Sequence, residues 1–342
     1  MRVAMYYHNR DVRLEEMPVP KIGPGEMLMR ITASGICGSD VLEWYRIKKA
    51  PLVLGHEVAG TVAEVGEGVS KYRVGDRIAA SHHVPCFTCH YCMTGHETVC
   101  ETLRTTNFHP GGFAEYVRLP AINVDRGVYP LPEGVDFEEG TFAEPLACVL
   151  RGQRVAKMEP SMSVLVLGAG ISGLLHIALA RATGAGLIVA TDTSEYRRKA
   201  AVRFGADMAL DAGDDVAAKL KELNQGRLAE RVIVCTGAMA AVVQALTCVE
   251  RGGTVLFFAS AGPGETVLLD IERTFWRTDV TLTSSYAGSP ADHVKAIELI
   301  RARAVPVKEM VTHRLPLAET REGFRLVSEA KESIKVIIMP QE

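Results

Sequence analysis

The run Gly168-Ala169-Gly170-Ile171-Ser172-Gly173 constrains the fold of this chain more than any other stretch. As G-x-G-x-x-G it is a weak signal alone, but here its flanks give it a mechanical meaning. Ser163–Leu167 before it is a short apolar run that reads as a buried strand. Ile171–Thr183 after it reads as a helix closed by Gly184. In a strand–turn–helix unit the first glycine makes the tight turn. The second admits a phosphate to the backbone, and the third lets helix and strand approach. The free N–H groups at the helix start then face a pyrophosphate. Gly168, Gly170 and Gly173 are therefore expected to contact a dinucleotide.

The same alternation continues. Leu187–Thr191 reads as a strand and Ser194–Phe204 as a helix. Arg231–Cys235 and Thr254–Phe258 extend the strand series, with the helical stretch Met239–Val249 between them, and a last strand falls near Val280–Ser285. Repeated strand–helix units predict a parallel, doubly wound sheet. Asp192 ends the second strand, 19 residues after Gly173. An acid there binds the ribose 2′-hydroxyl of NAD and repels the 2′-phosphate of NADP. The same residue also suits an N-cap for the following helix.

Before residue 150 the chain has a different character. Met27–Ala33, Val58–Val65 and Arg77–Ala80 are short β-like segments punctuated by Gly23-Pro24-Gly25 and Gly66-Glu67-Gly68. Two domains are expected: a β-rich one over 1–150, completed by about 287–342, and a nucleotide-binding one over 151–286. The helical stretch Ala291–Arg301 and the tail Thr312–Met339 are assigned to the first. At 342 residues the chain is long enough to bury sizeable cores without a disulfide or a metal.

Four of the eight cysteines, Cys86, Cys89, Cys92 and Cys100, are spaced C-x2-C-x2-C-x7-C. Four thiolates on a tight loop suit tetrahedral zinc and leave no open position, so this site is expected to be structural. Cys148, Cys235 and Cys248 stand in apolar contexts and read as packing residues. A second ligand set is of another kind. Gly35-Ile36-Cys37-Gly38-Ser39-Asp40 is followed by Gly55-His56-Glu57, and a further acid, Glu144, stands in the apolar run Ala143–Cys148. A buried acid should be paired or metal-bound. Cys, His and a carboxylate make up an open, catalytic zinc shell. Cys37, His56 and Glu144 are the expected inner ligands, with Glu57 a fourth or outer ligand; the roles of Glu57 and Glu144 are interchangeable on sequence grounds.

Lys plus Arg number 38 and Asp plus Glu 41, a net charge of -3. That balance gives no attraction for nucleic acid or anionic membrane and argues against reading the cysteine lobe as a nucleic-acid-binding zinc ribbon. No apolar run approaches a membrane span, and the charged start lacks the apolar core of a signal peptide. A cytoplasmic location is expected.

Taken together, GICGSD at 35–40, GHEVAG at 55–60, the cysteine lobe at 86–100, GGFAEY at 111–116, AEPLA at 143–147 and GAGISG at 168–173 resemble the zinc-containing medium-chain dehydrogenases over essentially the whole chain. The likeness is greatest to the sorbitol (polyol) and threonine dehydrogenase branches. The resemblance implies a GroES-like catalytic domain plus a Rossmann domain, two zinc ions, NAD, and a homotetramer or dimer. It implies oxidation of a secondary alcohol, with a polyol or cyclitol leading, an L-threonine-type amino alcohol or a simple alcohol as the rival, and a non-catalytic nucleotide-binding relative as a third reading. By the same resemblance Ser39 takes the alcohol proton, and Ser172, Asp192 and Arg197 contact NAD. Two positions depart from the pattern. Leu42 stands where the family often has a proton-relaying histidine, which leaves ribose, water or Glu43 as routes. Tyr286 is followed by Ala287, where the sorbitol branch has a polyol-contacting arginine. Glu43, Trp44 and Tyr286 are the candidate pocket residues.

Overall fold

The computed structural model describes residues 1–342, which form two compact units. One unit comprises Cys148–Tyr286 with Ala304–Pro306. Its six strands are β1 (Ser163–Leu167), β2 (Leu187–Asp192), β3 (Met208–Asp211), β4 (Ala229–Val234), β5 (Val249–Phe257) and β6 (Thr281–Ser284). They pair in parallel in the order β3-β2-β1-β4-β5-β6. Every residue of β1 is buried, as a central strand covered on both faces requires. The strand order reverses between β1 and its two neighbours, and the glycine run leaves β1 at that carboxyl end, where such sheets bind ligands. Helix α1 (Ile171–Ala182) buries Gly173 through Ala180. Leu165, Val189, Leu220, Val232, Ala245 and Val255 belong to the core of this unit. Each large aliphatic among them contributes roughly 1.5–3 kcal/mol by leaving water.

Three local features differ from the sequence reading. β3 and the helix Val216–Leu223 were not legible, because both are short and the four acids Asp207, Asp211, Asp214 and Asp215 break up the segment. The helix from Met239 stops at Cys248, and β5 begins at Val249, five residues earlier than Thr254. The cap of the helix Glu195–Arg203 is Ser194, whose hydroxyl accepts from Arg197 N, and not Asp192.

The other unit comprises Met1–Ala147, Ala287–Arg303 and Val307–Glu342. Its main sheet runs Val311–Pro316, Lys335–Met339, Met27–Gly35, Glu57–Val65, Arg77–Ala80, Val128–Pro130, with Tyr116–Leu119 also paired to Met27–Gly35. A smaller sheet joins Asp11–Glu16, Arg2–His8 and Leu52–Val53. Met27, Met29, Ile31, Val58 and Ile78 pack in one cluster, and Tyr6, Ile36, Phe113, Phe324 and Ile338 in another. Register matters most at Gly35, which lies opposite Glu57 on one side and Ile337 on the other. A Cβ at Gly35 would stand 2.7 Å from Lys335 Cε and 2.8 Å from its Nζ. Glycine there opens the space in which Glu57 and Lys335 meet. No helix is long and apolar enough to cross a membrane.

Candidate active site

The strand Met27–Gly35 delivers the chain to Ile36, which is buried, and then to Cys37. Residues Gly38–Val41 form a single tight turn capped by Cys37 itself. Ser39 N donates to Cys37 Sγ at 3.5 Å, and Cys37 N donates to Asp40 Oδ2 at 3.1 Å. Gly55, at a φ of +95°, supplies the left-handed corner that presents His56 at the start of Glu57–Val65. The outcome is a group in which Cys37 Sγ, a His56 ring nitrogen and a Glu57 carboxylate oxygen all lie within 4.8 Å of one another. The group does not include Glu144, which is half-buried in the first turn of the helix Ala143–Val155.

Asp40 is wholly buried and sets His56. Its Oδ1 lies 3.5 Å from His56 Nδ1, which leaves Nε2 as the nitrogen for a metal. Burial opposes charge on His56, but the neighbouring Asp40 carboxylate outweighs it and holds the imidazole pKa well above its usual value. Burial likewise works against the Asp40 carboxylate, while His56 and Arg46 hold its pKa below the ordinary value. Glu57 forms an ion pair with Lys335; the two side chains are 1% and 0% exposed. Lys335 Nζ also donates to Ile36 O at 3.3 Å. The His82 ring centroid lies 4.8 Å from that of His56 and 3.7 Å from that of His83. Burial keeps both neutral, pushing His82 down and His83 to about 4.

Ser39 is hydrogen-bonded to Arg46, whose Nη2 donates to Ser39 Oγ at 3.1 Å and whose Nε donates to Ser39 O at 3.0 Å. Glu43 turns elsewhere: its carboxylate accepts from Asn9 N at 3.3 Å and lines an exposed groove with Arg321, Glu322 and Arg325. Trp44 is 39% exposed and tilts against Tyr45; Tyr286 is 49% exposed. Asp40, Arg46, His82 and Lys335 escaped sequence reasoning. Lys335 carried a readable signal, since a lone lysine in Ile334–Met339 is a charge in an apolar strand and needs a partner.

The four-cysteine lobe is closed. Sulfur–sulfur distances are 3.6 Å for Cys89–Cys92, 3.6 Å for Cys86–Cys100 and 3.9 Å for Cys86–Cys92. A tetrahedron with zinc–sulfur bonds of about 2.3 Å has edges of about 3.8 Å, so the donor set fits that ion. Backbone N–H groups of Thr88 and Cys89 point at Cys86 Sγ, which suits a thiolate. Cys248 is buried, its thiol pushed up to about 11 by burial; Cys148 and Cys235 are half-buried.

At the glycine run, Gly168 has a φ of +93° and makes the turn out of β1. The Cβ of any other residue at Gly173 would strike the Gly168 carbonyl, which is the close helix–strand approach. At Gly170 a Cβ would meet only the Arg197 guanidinium, at 3.7 Å, so the space above α1 is open. Arg197 Nε is buried there without a hydrogen-bond partner, a donor that a phosphate would satisfy. Ser172 is half-buried in the first turn of α1. Asp192 Oδ2 accepts from Ala169 N at 2.8 Å and Oδ1 from Ser194 N at 2.9 Å, which ties the end of β2 to the glycine loop.

Residues 23–133 match the alcohol dehydrogenase GroES-like domain family, and residues 172–302 match the zinc-binding dehydrogenase family. The chain belongs to the zinc-containing medium-chain dehydrogenases. Among curated relatives, the sorbitol dehydrogenase of Gallus gallus is 33% identical over 96% of this chain and 93% of its own length. The L-galactonate-5-dehydrogenase of Escherichia coli K12 is also 33% identical, over 99% of this chain and 98% of its own. Among solved structures, one from Sinorhizobium meliloti 1021 with NADP bound superposes with a TM-score of 0.88 at 28% identity, covering 99% of each chain. The expected family, the GroES-like and Rossmann fold and the oxidoreductase class all stand on these matches.

Proposed function

We propose that this dehydrogenase oxidises a secondary alcohol, most favourably a polyol or cyclitol, to a ketone, with NAD as hydride acceptor. The observation that carries the reading is the loop Cys37–Asp40. It sets a thiolate ligand, a hydroxyl and the carboxylate that orients His56 within four consecutive residues. The donor set fits a catalytic zinc on Cys37 and His56, with Glu57 grouped beside them and Glu144 the other expected carboxylate. When bound, zinc supplies Lewis acidity toward the alcohol oxygen and nicotinamide accepts the hydride.

The chain's own groups do the rest. Asp40 fixes the His56 tautomer. Ser39 Oγ is placed two residues from Cys37 to take the hydroxyl proton. Gly170, the α1 N-terminus and Arg197 offer the pyrophosphate its donors. Asp192, at the end of β2, supports NAD over NADP through the ribose. The homo-oligomer is supported by the unpaired edge strand β6 and the exposed apolar residues Leu268, Ile271 and Trp276 of the same unit. A reducing compartment, the cytoplasm, suits a chain whose cysteines serve as metal ligands and packing residues.

The test is the zinc-loaded protein assayed with NAD and with NADP on sorbitol, xylitol, inositols, sugar acids, L-threonine and simple alcohols. The highest kcat/KM is expected with NAD and a polyol or cyclitol. A preference for L-threonine would move the reading to an amino alcohol. The absence of turnover with any alcohol would overturn it.

A further inference from the structure

Leu42 carries no proton, so the Ser39 hydroxyl needs support from another residue. The side chain bonded to it is Arg46, at the end of the one-turn helix Glu43–Arg46. Its Nη2 donates to Ser39 Oγ, its Nε to Ser39 O, and Nη2 also lies 3.4 Å from Asp40 Oδ1. The Arg46 side chain is only 15% exposed, and its guanidinium rests 4.7 Å from the centre of the Tyr45 ring. A planar fork with three contacts on two consecutive residues fixes the loop far more tightly than a single bond would.

We propose that Arg46 is the positioning residue for Ser39, a fixed cation that takes the place of a proton-carrying relay; this rests on the alcohol-oxidising role of the loop. A serine hydroxyl has two lone pairs and one proton. Arg46 occupies one lone pair, leaving the second to accept the substrate hydroxyl. As the substrate O–H bond breaks and a new Oγ–H bond forms, the original Oγ proton passes to a water molecule, and Ser39 ends neutral. A guanidinium does not deprotonate in proteins, so Arg46 is not a stop on this route. It holds Oγ in one orientation and favours negative charge there while the two protons exchange, which eases departure of the outgoing one.

The experiment is a double-mutant cycle on zinc-loaded protein with Ser39→Ala, Arg46→Met and their combination, plus Arg46→Lys. Zinc content and thermal unfolding are measured for each. Ser39→Ala is expected to lower kcat by about 10²–10⁴-fold. Arg46→Met is expected to lower kcat about 10- to 100-fold, the scale of one lost charge-assisted hydrogen bond, with both zinc ions retained. It should also enlarge the solvent deuterium isotope effect on single-turnover hydride transfer. In the Ser39→Ala background the same Arg46 change should cost less than threefold, because the group it acts through is gone. Arg46→Lys, which keeps the charge and loses the fork, should fall between. An equal loss in both backgrounds, or an unchanged solvent isotope effect, overturns the positioning role and makes Arg46 a structural clamp. A near-normal kcat in Ser39→Ala overturns the role of the loop itself, so the two failures are told apart.

Discussion

Lys335 and Glu57, 278 residues apart in sequence, meet as an ion pair almost wholly shielded from solvent. The pair joins the last strand of the chain to the residue next to His56. It also occupies the carboxylate that groups with Cys37 and His56 as a possible metal ligand. Removing one partner of such a pair leaves a buried charge uncompensated and typically costs about 3–5 kcal/mol. Lys335→Met should therefore lower stability in denaturant titration by that order, and Lys335→Met/Glu57→Gln should recover a substantial part. A single variant as stable as the parent would show that the pair is dispensable.

Metal stoichiometry follows from two ligand sets of different character. Two zinc ions per chain are expected by elemental analysis. Cys89→Ser should lose one zinc together with soluble yield and thermal stability. Cys37→Ser should lose the other zinc and all turnover while the fold holds. Glu57→Gln and Glu144→Gln compared for zinc retention decide which carboxylate binds. One zinc in fully active protein would sink the two-site description.

Cofactor choice depends on Asp192. Asp192→Ala should narrow the NAD-over-NADP ratio of kcat/KM, since both the ribose hydrogen bonds and the repulsion of a 2′-phosphate disappear. It should also cost some stability, because Ala169 N and Ser194 N lose their acceptor. A parent enzyme that favours NADP would put the ribose elsewhere.

Buried histidines give the fold a built-in acid sensitivity, and His176 and His293 show it most simply. Burial pushes His176 to about 3 and His293 to about 4, so both are neutral in the folded state at pH values where the unfolded chain protonates them near 6.5. Below 6.5 the unfolded state binds the extra protons. Stability is full above that pH and falls by about 1.4 kcal/mol per pH unit per histidine until the folded-state values are reached. His176→Gln should flatten the slope of unfolding free energy between pH 6.5 and 4.5. An unchanged slope would show that His176 is protonated in the native state.

Local chemistry alone determined much of this protein. The four-cysteine lobe, the glycine turn between β1 and α1 and the Cys37 and His56 motifs are legible because each is built from residues close in sequence, with spacing that only one geometry satisfies. The strands read at Met27–Ala33 and Ser163–Leu167 are legible for the same reason, the first running on to Gly35. Tertiary structure decided the long-range partners. Sequence reasoning had Glu57 as a fourth or outer ligand and could not pair it with Lys335, because the two meet only when Met27–Gly35 pairs with strands on both sides and Gly35 leaves the gap between them. It had Glu43 as a pocket residue and as one of three proton routes beside ribose and water, whereas the turn of Glu43–Arg46 sends Glu43 to the surface and brings Arg46 back onto Ser39. Spacing along a chain specifies what a short loop can hold; which distant charge fills a buried space is set by how the strands pair, and the desolvation cost of leaving that charge alone fixes its partner.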